Sequence, residues 1–463
     1  MNFLLINADQ LRHDAVGYRG LRPVKTPHLD RLAEESVDFA EAFTPLPVCS
    51  PARQSLLCGR HPDSFGAQWN YDFIPTPRLD PAWCWPKELE RRGWNTGYVG
   101  SFHVIPERDA RPYGYRDFVS SSEHKKLLAE KYPDAEFSGG WFGCESPIPL
   151  EDSATHWTAR KATALLEKYA AEAKPWHLWV DFEEPHLPCR PSAPFAGMYD
   201  PASIPPWDGY GDDFHLKPYI HRQQTWSWDT EACTWEKDWA PMVARYFGVV
   251  SQLDDAVGRI LDCLRKTGQW DDTAVVFTSD HGDMCGSHNM LDKHYVLYDD
   301  IIRVPFLAKV PGVPPRVSRE FVQNTLDLPA SLPGWLGFEK PPVLHGRPLP
   351  LEKREESGRE TVVSTSNGQQ FGLYTARAIR TKRWKYVWNL TDVDELYDLE
   401  ADPGEKENRV SDPALSGLIS DLRSRLWEDL SSHGDPFTRS AWLKHQLLDG
   451  KIVPPGFSGR ENP

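Results

Sequence analysis

Short apolar runs alternate with longer helical patterns along most of this chain. Apolar residues recur at helical spacing over 29–35, 160–173 and 242–266. The short runs are rich in branched and aromatic residues and have the length of buried parallel strands. They occupy residues 3–6, 98–100, 177–182, 274–278 and 305–308. Strands that alternate with helices predict an α/β fold, with a mostly parallel central sheet flanked by helices.

The pattern changes near the C-terminus. Residues 333–356 are rich in proline and polar residues, which is typical of a domain junction. Beyond them, 377–381 and 384–388 have the pattern of a β-hairpin, and 414–430 that of a helix. We therefore predict a large domain over 1–340 and a smaller α+β subdomain over 341–463, with an antiparallel sheet and a helix.

One internal segment has little periodicity. Residues 197–240 contain five tryptophans and several prolines and glycines, which predicts a long inserted loop over the edge or mouth of the sheet. The whole chain has 19 tryptophans. Most are expected in the core, although exposed tryptophan faces would suit sugar rings.

Composition narrows the possible partners. The net charge of −15 over 463 residues argues against binding to nucleic acid, which needs a basic face. No apolar run has membrane-spanning length, and the N-terminus lacks a signal-peptide pattern. We therefore expect a cytoplasmic protein with no membrane partner, unless a leader has been removed. The eight cysteines lack zinc-type or redox-type spacing, so the seven other than Cys49 are expected to be reduced and mostly buried.

One segment combines a cysteine, a helix-opening proline and an arginine: Cys49, Pro51 and Arg53, followed by Gly59-Arg60. Proline is tolerated in the first turn of a helix, where its missing N–H costs nothing. Cys49 would then lie at the helix N-terminus, where free N–H groups and the helix dipole favour an anion. Arg53, one turn later, can contact an oxyanion. The alternative is a buried cysteine beside an ordinary helix.

Polar pairs follow two of the predicted strands. Asp9-Gln10 close the first strand, and Asp280-His281 close the run at 274–278. In a parallel sheet such strand ends meet at one edge. Carboxylate and amide oxygens suit Ca²⁺ or Mg²⁺, and the imidazole leaves Mn²⁺ open. Taken singly, Asp9 could be a helix or turn cap, and Asp280-His281 could be a polar loop.

Together these features resemble the type I, formylglycine-dependent sulfatases of the alkaline phosphatase superfamily, in consistent order over nearly the whole chain. Residues 49–53 match the family's Cys-x-Pro-x-Arg element, and Pro185-His186-Leu187-Pro188 match its Pro-His-x-Pro element. The resemblance implies that a formylglycine-generating enzyme converts Cys49 to formylglycine, whose hydrate is the nucleophile. It also implies a bound divalent metal, with Ca²⁺ expected first and Mg²⁺ or Mn²⁺ as alternatives.

The resemblance further assigns roles to single residues. The implied metal ligands are Asp9, Gln10, Asp280 and His281. Arg53 and Lys293 are expected to stabilise the oxygens of the transferring group. His186 is expected to protonate the leaving alcohol, because histidine titrates near working pH. His103 is expected to help regenerate the nucleophile.

Three positions bear on the substrate. The family usually has lysine where this chain has Ser101, and often a second aspartate where it has Gln10. Both differences remove charge from the site. Asn70 and Ser101 are predicted to contact the substrate, although Asn70 could equally be a turn residue.

We therefore predict a sulfatase that hydrolyses a sulfate ester, with sulfated carbohydrate as the expected substrate class. A phosphonate monoester or phosphodiester hydrolase of the same superfamily is the alternative, because those enzymes use hydroxyl-bearing residues near position 101. An inactive protein that binds sulfated glycans is a third possibility. The oligomeric state is not readable from the sequence.

Overall fold

The computed structural model describes residues 1–71, 78–293, 295–341, 343–352, 358–368 and 373–451. Residues 342, 353–357, 369–372 and 452–463 of the predicted C-terminal subdomain lie outside the described residues. The described chain contains two β-sheets, one of eight strands and one of four. This agrees with the predicted fold class.

The large sheet is parallel except for one strand, and its order is β4-β3-β5-β1-β6-β7-β2-β8. Strand β7 runs antiparallel to both of its neighbours. The five predicted strands correspond to β1, β3, β5, β6 and β7, with slightly different ends. Its strands are β1 (Asn2–Asp9), β2 (Val37–Phe43), β3 (Asn95–Gly100), β4 (Asp117–Ser120), β5 (Trp176–Pro185), β6 (Thr273–Ser279), β7 (Phe306–Lys309) and β8 (Arg316–Gln323).

Helices cover both faces of this sheet, and alternate residues of β1 show how. Leu4 and Ile6 pack in a core with the first, fifth and seventh helices. Phe3 and Leu5 point to the other face and pack with the second, third and ninth. This alternation is the period of two that an extended strand imposes. The helices are α1 (Pro27–Glu34), α2 (Cys49–Cys58), α3 (Trp85–Arg91), α4 (Ser121–Lys131), α5 (Ala154–Ala170), α6 (Tyr219–Ser227), α7 (Ala240–Lys266), α8 (Asp299–Ile302), α9 (Asn324–Leu336), α10 (Ser416–His433) and α11 (Ala441–Leu448).

The small sheet is antiparallel and has the order β12-β11-β10-β9. Strands β10 and β11 form the predicted hairpin, and α10 is the predicted helix that packs with α11 against one face of this sheet. The other face shares a core with Phe43 of β2 and Ile301 of α8. The small sheet therefore packs against the large-sheet region. Its strands are β9 (Val362–Ser366), β10 (Ala376–Arg380), β11 (Trp384–Asn389) and β12 (Glu395–Asp398).

The prediction for 197–240 requires a correction. This segment is not one long loop, because it contains α6 and a π-helical turn, Trp235–Trp239, that continues into α7. The apolar stretches in this segment are too short to show a helical period, so the sequence did not predict these helices. Trp207, Trp235 and Trp239 are buried in the main core, as expected for most tryptophans. None of the helices in the described ranges is long and apolar enough to cross a membrane.

A buried ion cluster joins the small sheet to the region of α2. Arg377 of β10 is fully buried; its Nε donates to Asp435 at 2.7 Å, and a terminal nitrogen lies 3.3 Å from Asp63. Thr365 and Asn367 also donate to the carboxylate of Asp63. Although burial alone would raise the pKa of Asp63, Arg377, His61 and Thr365 hold it well below its usual range.

We expect Arg377→Met to lower the free energy of unfolding by about 3–5 kcal/mol, because it leaves two buried carboxylates without their counterion. Urea denaturation measures this change. Arg259→Met is the matched control, since Arg259 and its partner Glu151 are both exposed at the surface. Loss of that surface pair should cost less than about 1 kcal/mol. Equal losses in the two variants would contradict the structural role of Arg377.

Candidate active site

The carboxyl ends of four neighbouring strands meet at one edge of the large sheet. The sheet order places β3, β5, β1 and β6 side by side and parallel. Ligands of open parallel sheets bind at this edge. The predicted residues Asp9, Ser101, His103, His186, Asp280 and His281 end or follow these strands.

Cys49 begins α2, as predicted from the position of Pro51 in its first turn. The N–H of Ser50 donates to the side-chain oxygen of Asn70 at 2.9 Å. Asn70 therefore binds one of the free N–H groups at this helix terminus. The helix ends at Gly59 in a left-handed conformation, φ 68°. A side chain there would also collide with Leu344.

Four of the predicted residues form one compact cluster. Ligand atoms of Asp9, Cys49, Asp280 and His281 all lie within 4.8 Å of one another, and the four residues are buried. The Cys49 Sγ lies 3.3 Å from His281 Nε2 and 3.7 Å from an Asp9 oxygen. The predicted meeting of the two strand ends is therefore confirmed.

The chemistry of this cluster fits a divalent cation. His281 Nδ1–H donates to the carbonyl of Gly282 at 2.9 Å, so its Nε2 lone pair faces the cluster. This arrangement is typical of a metal-binding histidine. Burial and the Asp280 carboxylate raise the pKa of Asp9 to about 6. A cation between two buried carboxylates would relieve this repulsion.

Arg53 contacts two of the clustered carboxylates from behind the cavity. Its guanidinium donates to Asp9 at 2.7 Å, to Asp280 at 3.0 Å and to the carbonyl of Ser101 at 3.1 Å. It is 1 % exposed and does not line the active-site cavity. Arg53 is thus engaged with protein groups, where it holds two metal-site carboxylates in place. Direct contact with a substrate oxyanion remains a prediction.

The Gln10 side chain forms hydrogen bonds with residues outside the four-residue cluster. Its Nε2 donates to Asp283 at 2.5 Å and to Asp292 at 2.9 Å. Its Oε1 accepts from the Lys293 ammonium at 2.9 Å, while its backbone N–H donates to Asp280. In this arrangement Gln10 positions Lys293, and its predicted role as a metal ligand remains untested.

Lys293 and His186 form a hydrogen-bonded pair. The Lys293 Nζ lies 3.0 Å from His186 Nε2, and His186 Nδ1 donates to the Leu187 carbonyl at 2.7 Å. Burial and Lys293 lower the pKa of His186, but Asp9 and Cys49 raise it more, to about 9. The carbonyl contact places a proton on Nδ1, so in this structure Nε2 accepts from the Lys293 ammonium, and Nε2 can take up a proton once that ammonium turns to a bound anion.

Residue 49 lies in a strongly electropositive environment. Burial raises the pKa of the Cys49 thiol, but Lys293, His281 and hydrogen bonds with His103 and His186 hold it well below its usual range. Together with the N-terminus of α2, these groups stabilise negative charge at this position. The position suits a nucleophile or an oxyanion.

A cavity of about 520 Å³ opens above the cluster. Of the predicted residues, seven line it: Asp9, Cys49, Asn70, Ser101, His103, His186 and Lys293. The His103 ring contacts the ring of Tyr71 edge-on, at 5.0 Å between centroids. Exposed aromatic rings of Phe137 and Trp141 line the same cavity. The cavity can therefore hold an anionic group at residue 49 and an organic group beside it.

Sequence reasoning missed one carboxylate behind the site. Asp181 of β5 is fully buried and lies 3.3 Å from Arg53. It also accepts from the Tyr98 hydroxyl at 2.5 Å. Burial raises the pKa of Asp181 to about 7, although Arg53 and Tyr98 oppose this shift. The sequence feature that could have identified Asp181 is its position inside the apolar run 177–182, because a buried charge needs a partner.

This fold and site define a hydrolase for esters of oxyanions, with a candidate divalent-metal centre beside the nucleophile position. Comparison with known proteins supports this class. The family model "Sulfatase" matches residues 1–338, and the model for the C-terminal part of N-sulphoglucosamine sulphohydrolase matches residues 286–432. The chain belongs to the sulfatase family and is a sulfuric ester hydrolase.

Individual proteins resemble the chain over most of its length. An ulvan-active sulfatase from Formosa agariphila is 30 % identical, over 98 % of this chain and 86 % of that protein. A Δ4,5-hexuronate-2-O-sulfatase from Bacteroides thetaiotaomicron is 26 % identical, over 94 % and 90 %. The structure of a phosphonate monoester hydrolase from Silicibacter pomeroyi superposes with a TM-score of 0.80, at 23 % identity over 95 % and 96 %. That last likeness concerns the fold alone.

Proposed function

We propose that this protein hydrolyses sulfate esters of carbohydrates. It would use a formylglycine made from Cys49 and a divalent cation held by the adjoining cluster, and calcium is the expected cation. The observation that carries the proposal is the convergence of Cys49 with Asp9, Asp280 and His281 beneath a cavity with aromatic walls. Two relatives named for sulfated-sugar substrates support the choice of carbohydrate.

The formylglycine would supply a nucleophile at position 49, and the divalent cation would act as a Lewis acid on an anionic ester. The chain's own residues do the rest. Arg53 keeps Asp9 and Asp280 oriented as ligands, and the Lys293 ammonium neutralises charge on the sulfate oxygens. With Lys293 turned to the sulfate, His186 Nε2 carries a proton for the leaving alcohol, while His103 borders residue 49 and assists its return to the resting state.

The direct test is turnover by enzyme co-expressed with a formylglycine-generating enzyme. The panel contains 4-nitrophenyl sulfate, sulfated mono- and oligosaccharides, a phosphonate monoester and a phosphodiester. We expect the sulfated sugars to be the best substrates by kcat/KM. Preference for the phosphonate or phosphodiester would favour the alternative hydrolase, and binding of sulfated sugars without turnover would favour a binding protein.

The two cavity histidines should respond differently to the leaving group. In His186→Ala we expect kcat to fall about 10²- to 10³-fold for a sugar sulfate but far less for 4-nitrophenyl sulfate, because nitrophenolate departs without a proton. In His103→Ala we expect similar losses for both substrates, with a burst of released alcohol followed by a stall. Steady-state and stopped-flow kinetics measure these effects. A burst in His186→Ala instead would mean that the two roles are exchanged.

A further inference from the structure

One cation of the active-site cavity has no anionic partner among the residues that the structure describes. Arg190 lies four residues after His186 and lines the same cavity as Cys49 and Lys293. Within the described ranges it makes neither a hydrogen bond nor an ion pair, and its Nε–H is buried without an acceptor. Its terminal nitrogens are not among the buried atoms and are accessible. Leaving a polar donor buried without a partner costs free energy that a ligand can recover.

The other cationic side chains of the cavity are engaged. Lys293 donates to Gln10, Arg108 donates to the Tyr71 hydroxyl, and Lys125 lies 3.7 Å from Glu183. The carboxylate of Glu183 is thus next to a cation of its own. Arg190 therefore differs from its neighbours in being available to an incoming anion.

An aromatic ring supports the guanidinium of Arg190. Its central carbon lies 4.6 Å from the centroid of the Phe137 ring, and the ring is 40 % exposed. This cation–π contact orients the guanidinium without using its N–H groups. Trp141, 55 % exposed, lies edge-on to Trp228 at 5.5 Å, and both line the cavity. These rings provide apolar surface beside the cation, as the face of a sugar ring requires.

We infer that Arg190, supported by Phe137, is a subsite for a second anionic group on the substrate, a carboxylate or a further sulfate on the sugar that carries the scissile ester. This inference rests on the proposed carbohydrate function and narrows it to sugars with a second negative charge. A guanidinium presents two parallel N–H groups that match either oxyanion. Arg190 thereby selects among substrates without contacting the reacting atoms.

The test uses matched substrates and matured enzyme. One pyranoside sulfate is prepared in three forms, in which a further substituent is a hydroxyl, a carboxylate or a sulfate. We expect the wild type to prefer the anionic forms by kcat/KM, and the preferred anion identifies the group that Arg190 binds. In Arg190→Met we expect kcat/KM for that form to fall about 10- to 100-fold, the worth of a charge-assisted hydrogen bond.

The same variant should leave the neutral form and 4-nitrophenyl sulfate within about threefold of wild type, because neither uses the subsite. Arg190→Lys should recover part of the preference, since it keeps the charge but loses the paired N–H geometry. Arg319→Met, an exposed arginine on edge strand β8 outside the cavity lining, is the control for net charge and should match wild type on every substrate.

Two outcomes overturn the inference while leaving the sulfatase activity intact. Equal wild-type kcat/KM on the three pyranosides, or equal losses on all substrates in Arg190→Met, would show that Arg190 has no role in selection. Hydrolysis of 4-nitrophenyl sulfate but of none of the pyranosides would instead reject the carbohydrate proposal and the subsite with it.

Discussion

Replacing Cys49 by alanine should abolish turnover, with kcat falling at least about 10⁵-fold, because the nucleophile position is lost. The structure places this residue at the N-terminus of α2, against the metal-site carboxylates and the Lys293 ammonium. The wild-type peptide that contains residue 49 should carry an aldehyde after co-expression with the maturation enzyme. Mass spectrometry detects this change, and turnover of 4-nitrophenyl sulfate measures the loss.

Cys58→Ala is the matched control for this experiment. Cys58 is a buried cysteine at the other end of the same helix, where burial raises the pKa of its thiol to about 12. We expect this variant to retain the aldehyde at position 49 and activity within a few-fold of wild type. Circular dichroism should show that Cys49→Ala is folded. Activity of folded Cys49→Ala near the wild-type level would reject the assigned nucleophile.

Asp280→Asn should remove both the metal and most of the activity. The Asp280 carboxylate belongs to the four-residue cluster and also accepts from Arg53 and from the Gln10 N–H. An amide keeps the volume but loses the charge that a hard cation requires. We expect the metal content to fall from about one ion per chain to almost none, and kcat/KM to fall on the order of 10⁴-fold. Elemental analysis and steady-state kinetics measure the two effects.

Asp254→Asn tests whether loss of a buried aspartate by itself causes these effects. Asp254 lies on α7 and accepts the backbone N–H groups of His28 and Leu29, away from the cluster. The Asp254→Asn variant should keep the metal content and the kcat/KM of the wild type.

Wild-type enzyme treated with a chelator should lose activity and regain it with calcium. Recovery with manganese or magnesium alone would revise the metal, and a metal-loaded, active Asp280→Asn would reject the site.

Local patterns were enough to predict much of the fold. The five apolar runs became strands because a strand buried on both faces must be apolar throughout. The hairpin of β10 and β11 followed from its own pattern and a tight turn. Strands β2 and β8 were missed because their sequences, Val37–Phe43 and Arg316–Gln323, mix charged and apolar residues. Their pairing depends on neighbours that are distant in the chain.

The strand pattern likewise predicted that the ends bearing Asp9 and Asp280-His281 meet, because parallel strands end at one edge, and the resemblance to the sulfatase family added Cys49 to them. The orientation of side chains was decided only by the tertiary structure. Arg53 is engaged because three carboxylates from β1, β5 and the end of β6 surround it. Gln10 faces Lys293 because Asp283 and Asp292 bind its amide. Arg190 is available because no acidic residue among those described forms an ion pair with it, and a sequence does not specify such contacts between distant segments.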